Sequence, residues 1–213
     1  MSIKKRLYLS PLGLVISYIQ NILAIFHRPF MVYGIKNYVK NKRMNNTRIS
    51  SSSKIISKDK LDIGDGVWVG HYCVLDASHG LSIGDGVQTG SHVSIYSHSS
   101  HVAIRLLGSQ YLKTDDRVGY IVGSVSIGEY SFIGDSCVIF PNVQIGKGCL
   151  IKAGSIVTQS IPDYSIATGI PARVVGLVSN IDEPFLSDPD VRRTYFDLKL
   201  FSDYFDKGKL NEQ

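Results

Sequence analysis

The chain has 213 residues, 44% apolar and 19% charged, with 23 Lys and Arg against 18 Asp and Glu, for a formal charge of +5. That length and apolar fraction suffice for one domain with its own core, and they exclude a disordered or collagen-like chain. Three cysteines exclude a disulfide framework. The charge is divided unevenly. Residues 1–48 hold nine basic side chains (Lys4, Lys5, Arg6, Arg28, Lys36, Lys40, Lys42, Arg43, Arg48) and no acid, which leaves the rest with 14 basic and 18 acidic groups and a net charge of −4.

The basic arm contains one apolar run, Leu12 to Phe26, whose 15 residues include Gln20 and Asn21. It is too short and too polar to span a bilayer. Lys4-Lys5-Arg6 before it resembles the start of a signal peptide, but no small-residue cleavage site follows. Leu12, Val15, Ile16, Ile19, Ile22, Leu23 and Phe26 recur at helical spacing, so an amphipathic helix is expected. The expectation is that it packs on its own domain or on a neighbouring subunit. The alternative is a membrane-surface helix whose basic flanks face anionic lipid.

From residue 49 the period becomes six. Aliphatic residues fall at Ile49, Ile55 and Leu61, then after a two-residue step at Ile63, Val69 and Leu75, and after a second such step at Ile83, Thr89 (in register) and Ile95. The series resumes at Ile127, Ile133, Ile139, Ile145, Ile151 and Val157. Glycine follows at Ile63-Gly64, Val69-Gly70, Ile83-Gly84, Ile127-Gly128, Ile133-Gly134 and Ile145-Gly146. Neither a helix nor a single strand has this period. A short strand plus a glycine-assisted turn does, and three such faces close one coil of a solenoid. Ile83 to Ile127 is 44 residues where one coil needs about 20, so about 24 are inserted, between about residues 97 and 120. A loop of that length in a compact repeat points to function. After Val157 the repeat decays, and Ser187-Asp188-Pro189-Asp190 reads as a helix start, with Val191, Tyr195, Leu198, Phe201 and Phe205 on its apolar side. That helix is expected to cover solenoid surface. The chain thus reads as a basic helical arm (1–48), a repeat domain (49–176) and a helical extension (177–213).

Cys73, Cys137 and Cys149 each stand four residues after an aliphatic position, a shared small-residue slot that indicates packing. His92, His98 and His101 lack the His-x4-His pair of a zinc β-helix, so no metal is expected. The arm has no nucleic-acid-binding motif and the acidic body no continuous basic surface, so no nucleic acid is expected either.

The segments Ile133-Gly134-Asp135-Ser136-Cys137-Val138-Ile139-Phe140-Pro141-Asn142-Val143, Ala153-Gly154-Ser155-Ile156-Val157-Thr158 and Gly169-Ile170-Pro171-Ala172-Arg173 resemble the hexapeptide-repeat acyltransferases, in the galactoside, maltose and polysaccharide O-acetyltransferase branch. The resemblance covers residues 49–176. It implies an all-β fold, a left-handed parallel β-helix, assembled as a homotrimer with active sites between subunits, and acetyl-CoA as cosubstrate. It also implies a cytoplasmic enzyme; peripheral contact at the inner membrane face belongs to the alternative reading of the basic arm. The implied reaction is acetyl transfer to a sugar hydroxyl in bacterial surface polysaccharide or lipopolysaccharide assembly, with a loop histidine as general base. The alternatives are N-acetylation of a nucleotide-linked amino sugar and a non-catalytic trimeric scaffold.

Ser97-His98-Ser99-Ser100-His101-Val102-Ala103-Ile104-Arg105 is similar to the galactoside-acetyltransferase stretch Gly-His-x-x-His-x-x-Leu-Arg, which makes His98 the base. Ile95 lies two residues closer to His98 than in that family, which keeps His101 as a second candidate. Asp76 and His79, one coil earlier, are candidates to orient the base or meet the acceptor, and Tyr72 to meet the acceptor. The resemblance carries acetyl-CoA contacts to the backbone at Asp135, Ala153 and Thr158 and to the side chain of Arg173. Gln159 stands where the family has a lysine, and Lys152 is a substitute cation.

Overall fold

The computed structural model describes residues 10–26, 28–197 and 199. The six-residue period folds into a left-handed parallel β-helix of about 6 turns. Each hexad contributes a strand of two or three residues that turns one aliphatic side chain inward before the chain rounds a corner. The first wall stacks Ile49 on Val69, then Thr89, Ile133, Ile151 and Ala167. The second stacks Ile55, Leu75, Ile95, Ile139 and Val157. The third stacks Ile63, Ile83, Ile127 and Ile145, with a bridge on to Ile161. All but Ile55 are buried, and full burial of one such aliphatic side chain contributes about 1.5–3 kcal/mol. The three cysteines lie inside this core, where burial pushes the Cys137 and Cys149 thiols up.

The glycine after each aliphatic position answers to close approach between coils. A Cβ at Gly134 would stand 2.4 Å from the backbone nitrogen of Ala153. Gly134→Ala should therefore destabilise the fold by about 1–3 kcal/mol, read as a lowered midpoint in thermal melting. A midpoint equal to wild type would refute the close-approach account.

The wide coils owe their two-residue steps to one corner. Eight residues lead from Ile55 to Ile63 and from Leu75 to Ile83, whereas six lead from Ile139 to Ile145. The insertion leaves the same corner of the third coil. His98–Ser99 pairs antiparallel with Ile121–Val122, and between them lies a short helix, Ala103–Leu107. The coil closes beneath it, because Ile127 pairs directly with Ile83.

Among the described residues the arm is helical over Pro11–Phe26 alone. Its second half, read from sequence as part of the same helical arm, is an antiparallel hairpin of Met31–Asn37 and Lys42–Ser50 whose second strand runs on into the first coil through Arg48–Trp68 and Ile49–Val69. Asn41 makes the turn with φ 47°, a conformation Asn tolerates. Asn37 is fully buried and its amide donates to Asp62 and to the Ile63 carbonyl, which pins the hairpin to the solenoid.

At the other end Ser165–Gly169 turns back antiparallel on Ala172–Leu177. The expected helix start is present. Asp188 caps Pro189–Thr194 by accepting from the Asp190 N–H, but the helix stops before Tyr195, and Leu198, Phe201 and Phe205 lie outside the described residues. The covering role falls instead to Phe196, packed against Tyr130 and Tyr164. Lys147 holds the same segment through Asp197, 2.6 Å away.

Candidate active site

The site sits on the corner between the second and third walls, where the wide coils carry their surplus residues. Asp76 ends the strand Val74–Asp76, and its carboxylate turns inward to complete burial. One oxygen, Oδ1, accepts from the Ser78 N–H at 3.0 Å and the Ser78 hydroxyl at 2.5 Å. The other, Oδ2, accepts from the Ser97 N–H and hydroxyl, each at 3.2 Å, and lies 2.7 Å from Nδ1 of His98. That Nδ1 is itself buried, and its close contact with Asp76 is an ion-pair contact out of line for a hydrogen bond. Burial alone would raise the Asp76 carboxyl, but hydrogen bonds from Ser78 and Ser97 and the charge on His98 outweigh it and hold the group at about 2. Asp76 is thus ionised at any pH at which the protein works.

A buried anion against Nδ1 keeps the imidazole proton on that nitrogen and leaves Nε2 with the lone pair. His98 is one-third exposed and lines a cavity of about 360 Å³ with Tyr96, Ser99, Ser100, Val138, Phe140 and Pro141. The arrangement is that of an oriented general base facing a recess. His79 stands beside it, ring centroids 5.6 Å apart, with its backbone N–H donating to the Ser97 hydroxyl. Tyr120, from the far end of the insertion, stacks on His98 at 5.7 Å and meets the edge of His79 at 6.2 Å.

The sequence candidates separate. His101 is exposed and its Nδ1 bonds the hydroxyl of Ser99 at 2.7 Å, with no carboxylate behind it. Asp76 is not a substrate contact, because it is sealed from solvent and both oxygens are occupied. Tyr72 lies on the corner between the first and second walls, stacked on His92 at 5.3 Å, so the structure does not bring it to His98. The coenzyme candidates also divide. Asp135 and Ala153 occupy successive coils on Tyr72's corner, where the Asp135 carboxylate accepts from the Ser91 N–H at 2.7 Å. Thr158 and Gln159 lie two coils below His98 on its own corner, exposed, and Arg173 is exposed on the terminal hairpin opposite Thr168.

Tyr120 and Arg117 escaped the sequence reading. Arg117 stacks over Tyr111 at 4.7 Å and over Tyr120 at 6.0 Å, and its Nε is buried without a hydrogen-bond partner. Only the length of the insertion pointed to them, since the period is lost there. Among the described residues, no group of three or more His, Cys, Asp or Glu is placed to hold a metal.

Comparison with known proteins fits this geometry. A family model described as bacterial transferase hexapeptide (six repeats) matches residues 120–159. Serine acetyltransferase 4 of Arabidopsis thaliana is 28% identical over 148 residues, 70% of this chain and 38% of that protein. Galactoside O-acetyltransferase of Escherichia coli is 34% identical over 107 residues, 49% of this chain and 48% of that one. The crystal structure of a maltose O-acetyltransferase from Clostridium difficile superposes with a TM-score of 0.51 at 25% identity, covering 60% of this chain and 64% of that one. The chain spans about half or less of the length of these curated relatives.

Proposed function

We propose that this chain, which belongs to the hexapeptide-repeat transferases, moves an acetyl group from acetyl-CoA to a sugar hydroxyl, in the assembly of a surface polysaccharide or lipopolysaccharide. The observation that carries the reading is the His98–Asp76 pair opening on a recess. A sugar hydroxyl is a poor nucleophile at neutral pH, and Nε2 of His98 takes its proton as it attacks the thioester carbonyl. The proton then passes to the departing CoA thiolate.

Tyr96 and Phe140 form a partly exposed apolar strip that leads from His98 down the wall towards Thr158. In this reading the pantetheine arm lies along it, and Arg173 meets a phosphate. Asp135 and Ala153 stand a full wall away on another corner, so a second copy brings that corner against His98. This supports a homotrimer with sites between subunits. The Arg117 guanidinium, which stacks over Tyr120 beside His98, supports a contact with an acceptor oxygen. Arg117→Gln should raise the acceptor KM about tenfold, with kcat and acetyl-CoA affinity near wild type. An unchanged acceptor KM would remove Arg117 from the site.

CoA release from acetyl-CoA, measured with galactosides, maltose, amino sugars and serine as acceptors, tests the reading. Turnover of hydroxyl-only sugars supports it. Turnover of amino sugars alone would replace it with N-acylation. Turnover of serine alone, the substrate named for relatives at 28% identity, would replace the sugar by an amino acid. Undetectable CoA binding by calorimetry would leave a scaffold.

A further inference from the structure

The helix Pro11–Phe26 leaves most of its large apolar side chains exposed, among them Leu12, Val15, Ile19, Ile22 and Leu23. No Asp, Glu, Lys or Arg occurs from Leu7 to His27, a stretch closed by Lys4-Lys5-Arg6 before it and Arg28 after it. At 3.6 residues per turn, Leu12, Val15, Ile19 and Leu23 share one side, while Leu14 and Ile25 carry the apolar arc round to roughly 200°. The remaining side, with Gly13, Ser17, Gln20, Asn21 and Ala24, is uncharged. Leu14 is 67% exposed and Tyr18 68%.

A helix that docks on a protein surface buries a stripe of roughly 100° and keeps a polar back. Docked so, on this chain or a second copy, the helix would leave Leu14, Tyr18 and Ile25 in water. A second copy would also set nine positive charges of one arm beside nine of another. A lipid medium covers the whole arc at once, and its anionic headgroups match the charges at both helix ends. The adjoining hairpin has the composition of a membrane interface, with Tyr33 and Tyr38 exposed beside Lys36, Lys42 and Arg43. Among the described residues no helix is long and apolar enough to cross a membrane, which leaves an in-plane, half-immersed helix.

We propose that Pro11–Phe26, with its basic flanks, is a docking element for an anionic lipid surface that seats the chain there by its amino-terminal coil. The proposal does not rest on the acetyl-transfer reading. It is tested by flotation of the full chain with phosphatidylcholine vesicles containing phosphatidylglycerol, and with vesicles of phosphatidylcholine alone. The expected result is binding at least about tenfold stronger to the anionic vesicles, weakened by high salt, and lost in both Ile19→Asp and Tyr18→Asp. Tyr18 lies outside the stripe centred on Leu12, Val15, Ile19 and Leu23, so its loss of binding separates lipid contact from docking by that side. Thermal melting should be unchanged in both variants, because neither side chain packs in the solenoid. If a variant does melt early, wild-type flotation and its salt dependence still decide the proposal. Absence of flotation on anionic vesicles, flotation that ignores lipid charge, or flotation retained in two folded variants would each overturn it. So would a change of oligomeric mass in Ile19→Asp without wild-type vesicle binding, which would assign the helix to a second copy.

Discussion

His98→Ala should lower acetyl transfer by about 10²–10⁴-fold, the usual contribution of a positioned general base, while calorimetric CoA binding and the melting midpoint stay near wild type. The expectation of an intact fold comes from position. His98 lies at the root of the insertion, one-third exposed, and no core side chain rests on it. The expectation of a large kinetic loss comes from the pairing that commits Nδ1 to Asp76, since no other imidazole in the described residues has a buried carboxylate behind it. His79 is near enough to substitute only by swinging away from Tyr120. His101→Ala should leave turnover within about twofold, since an exposed imidazole bonded to a neighbouring hydroxyl contributes no oriented base. Full activity in His98→Ala, or the losses interchanged between the two, would end the assignment.

Asp76→Asn should cost about 10²-fold in kcat or more, with the KM for acetyl-CoA little changed, because the residue acts through His98 and never meets substrate. The amide presents an N–H₂ where the carboxylate had two acceptor oxygens. Either Ser78 or the Ser97–His98 side then loses its acceptor, and the imidazole proton is released from Nδ1. The same variant carries a signature in stability. The Asp76 carboxyl sits at about 2 in the fold against 3.8 for the ordinary group, so its folded form is depressed. The stabilisation is fully present above pH 4 and is lost as pH falls through the folded value near 2. The difference amounts to about 2 kcal/mol. Melting midpoints of wild type and Asp76→Asn should therefore differ most at neutral pH and converge between about pH 4 and 2. A constant gap across that range would deny the carboxylate its charge-dependent role, and undiminished kcat would deny it any part in orienting the base.

The walls of the β-helix were legible because each inward position is a single large aliphatic residue whose partner lies one coil away. The pairing of Ile63, Ile83, Ile127 and Ile145 can be counted off the chain, insertion included. The hairpin at Met31–Ser50 was not legible. Its exposed positions mix Val32 and Tyr33 with Lys36, Lys42, Arg43 and two asparagines, and its buried ones before the solenoid begins are Asn37, Met44 and Thr47, so no apolar alternation announces a strand. At the site, His98 and Asp76 stood out as residue types, but the division of labour between them depends on which oxygen faces which nitrogen. Tyr120 reaches His98, and Arg117 reaches Tyr120, by the closing turn of the insertion, a long-range arrangement with no periodic trace. The coenzyme candidates were named as one set, and only the corners of the prism reveal that they lie on two.

A solenoid of identical coils has flat walls, and a flat wall offers a small molecule nothing to enter. Here the first two coils spend eight residues on the corner after the second wall, the third carries the insertion there, and the fourth spends six. The surplus pair makes room for Asp76 to fold inward and for Ser97 to reach it. The narrowing below makes a ledge on which His98 stands above Val138, Phe140 and Pro141. What looks in the sequence like two flaws in a six-residue rhythm is the change of girth that turns a structural prism into one with a recess. Trimming that pair from the second coil would make the repeat more regular and leave the imidazole without its anion.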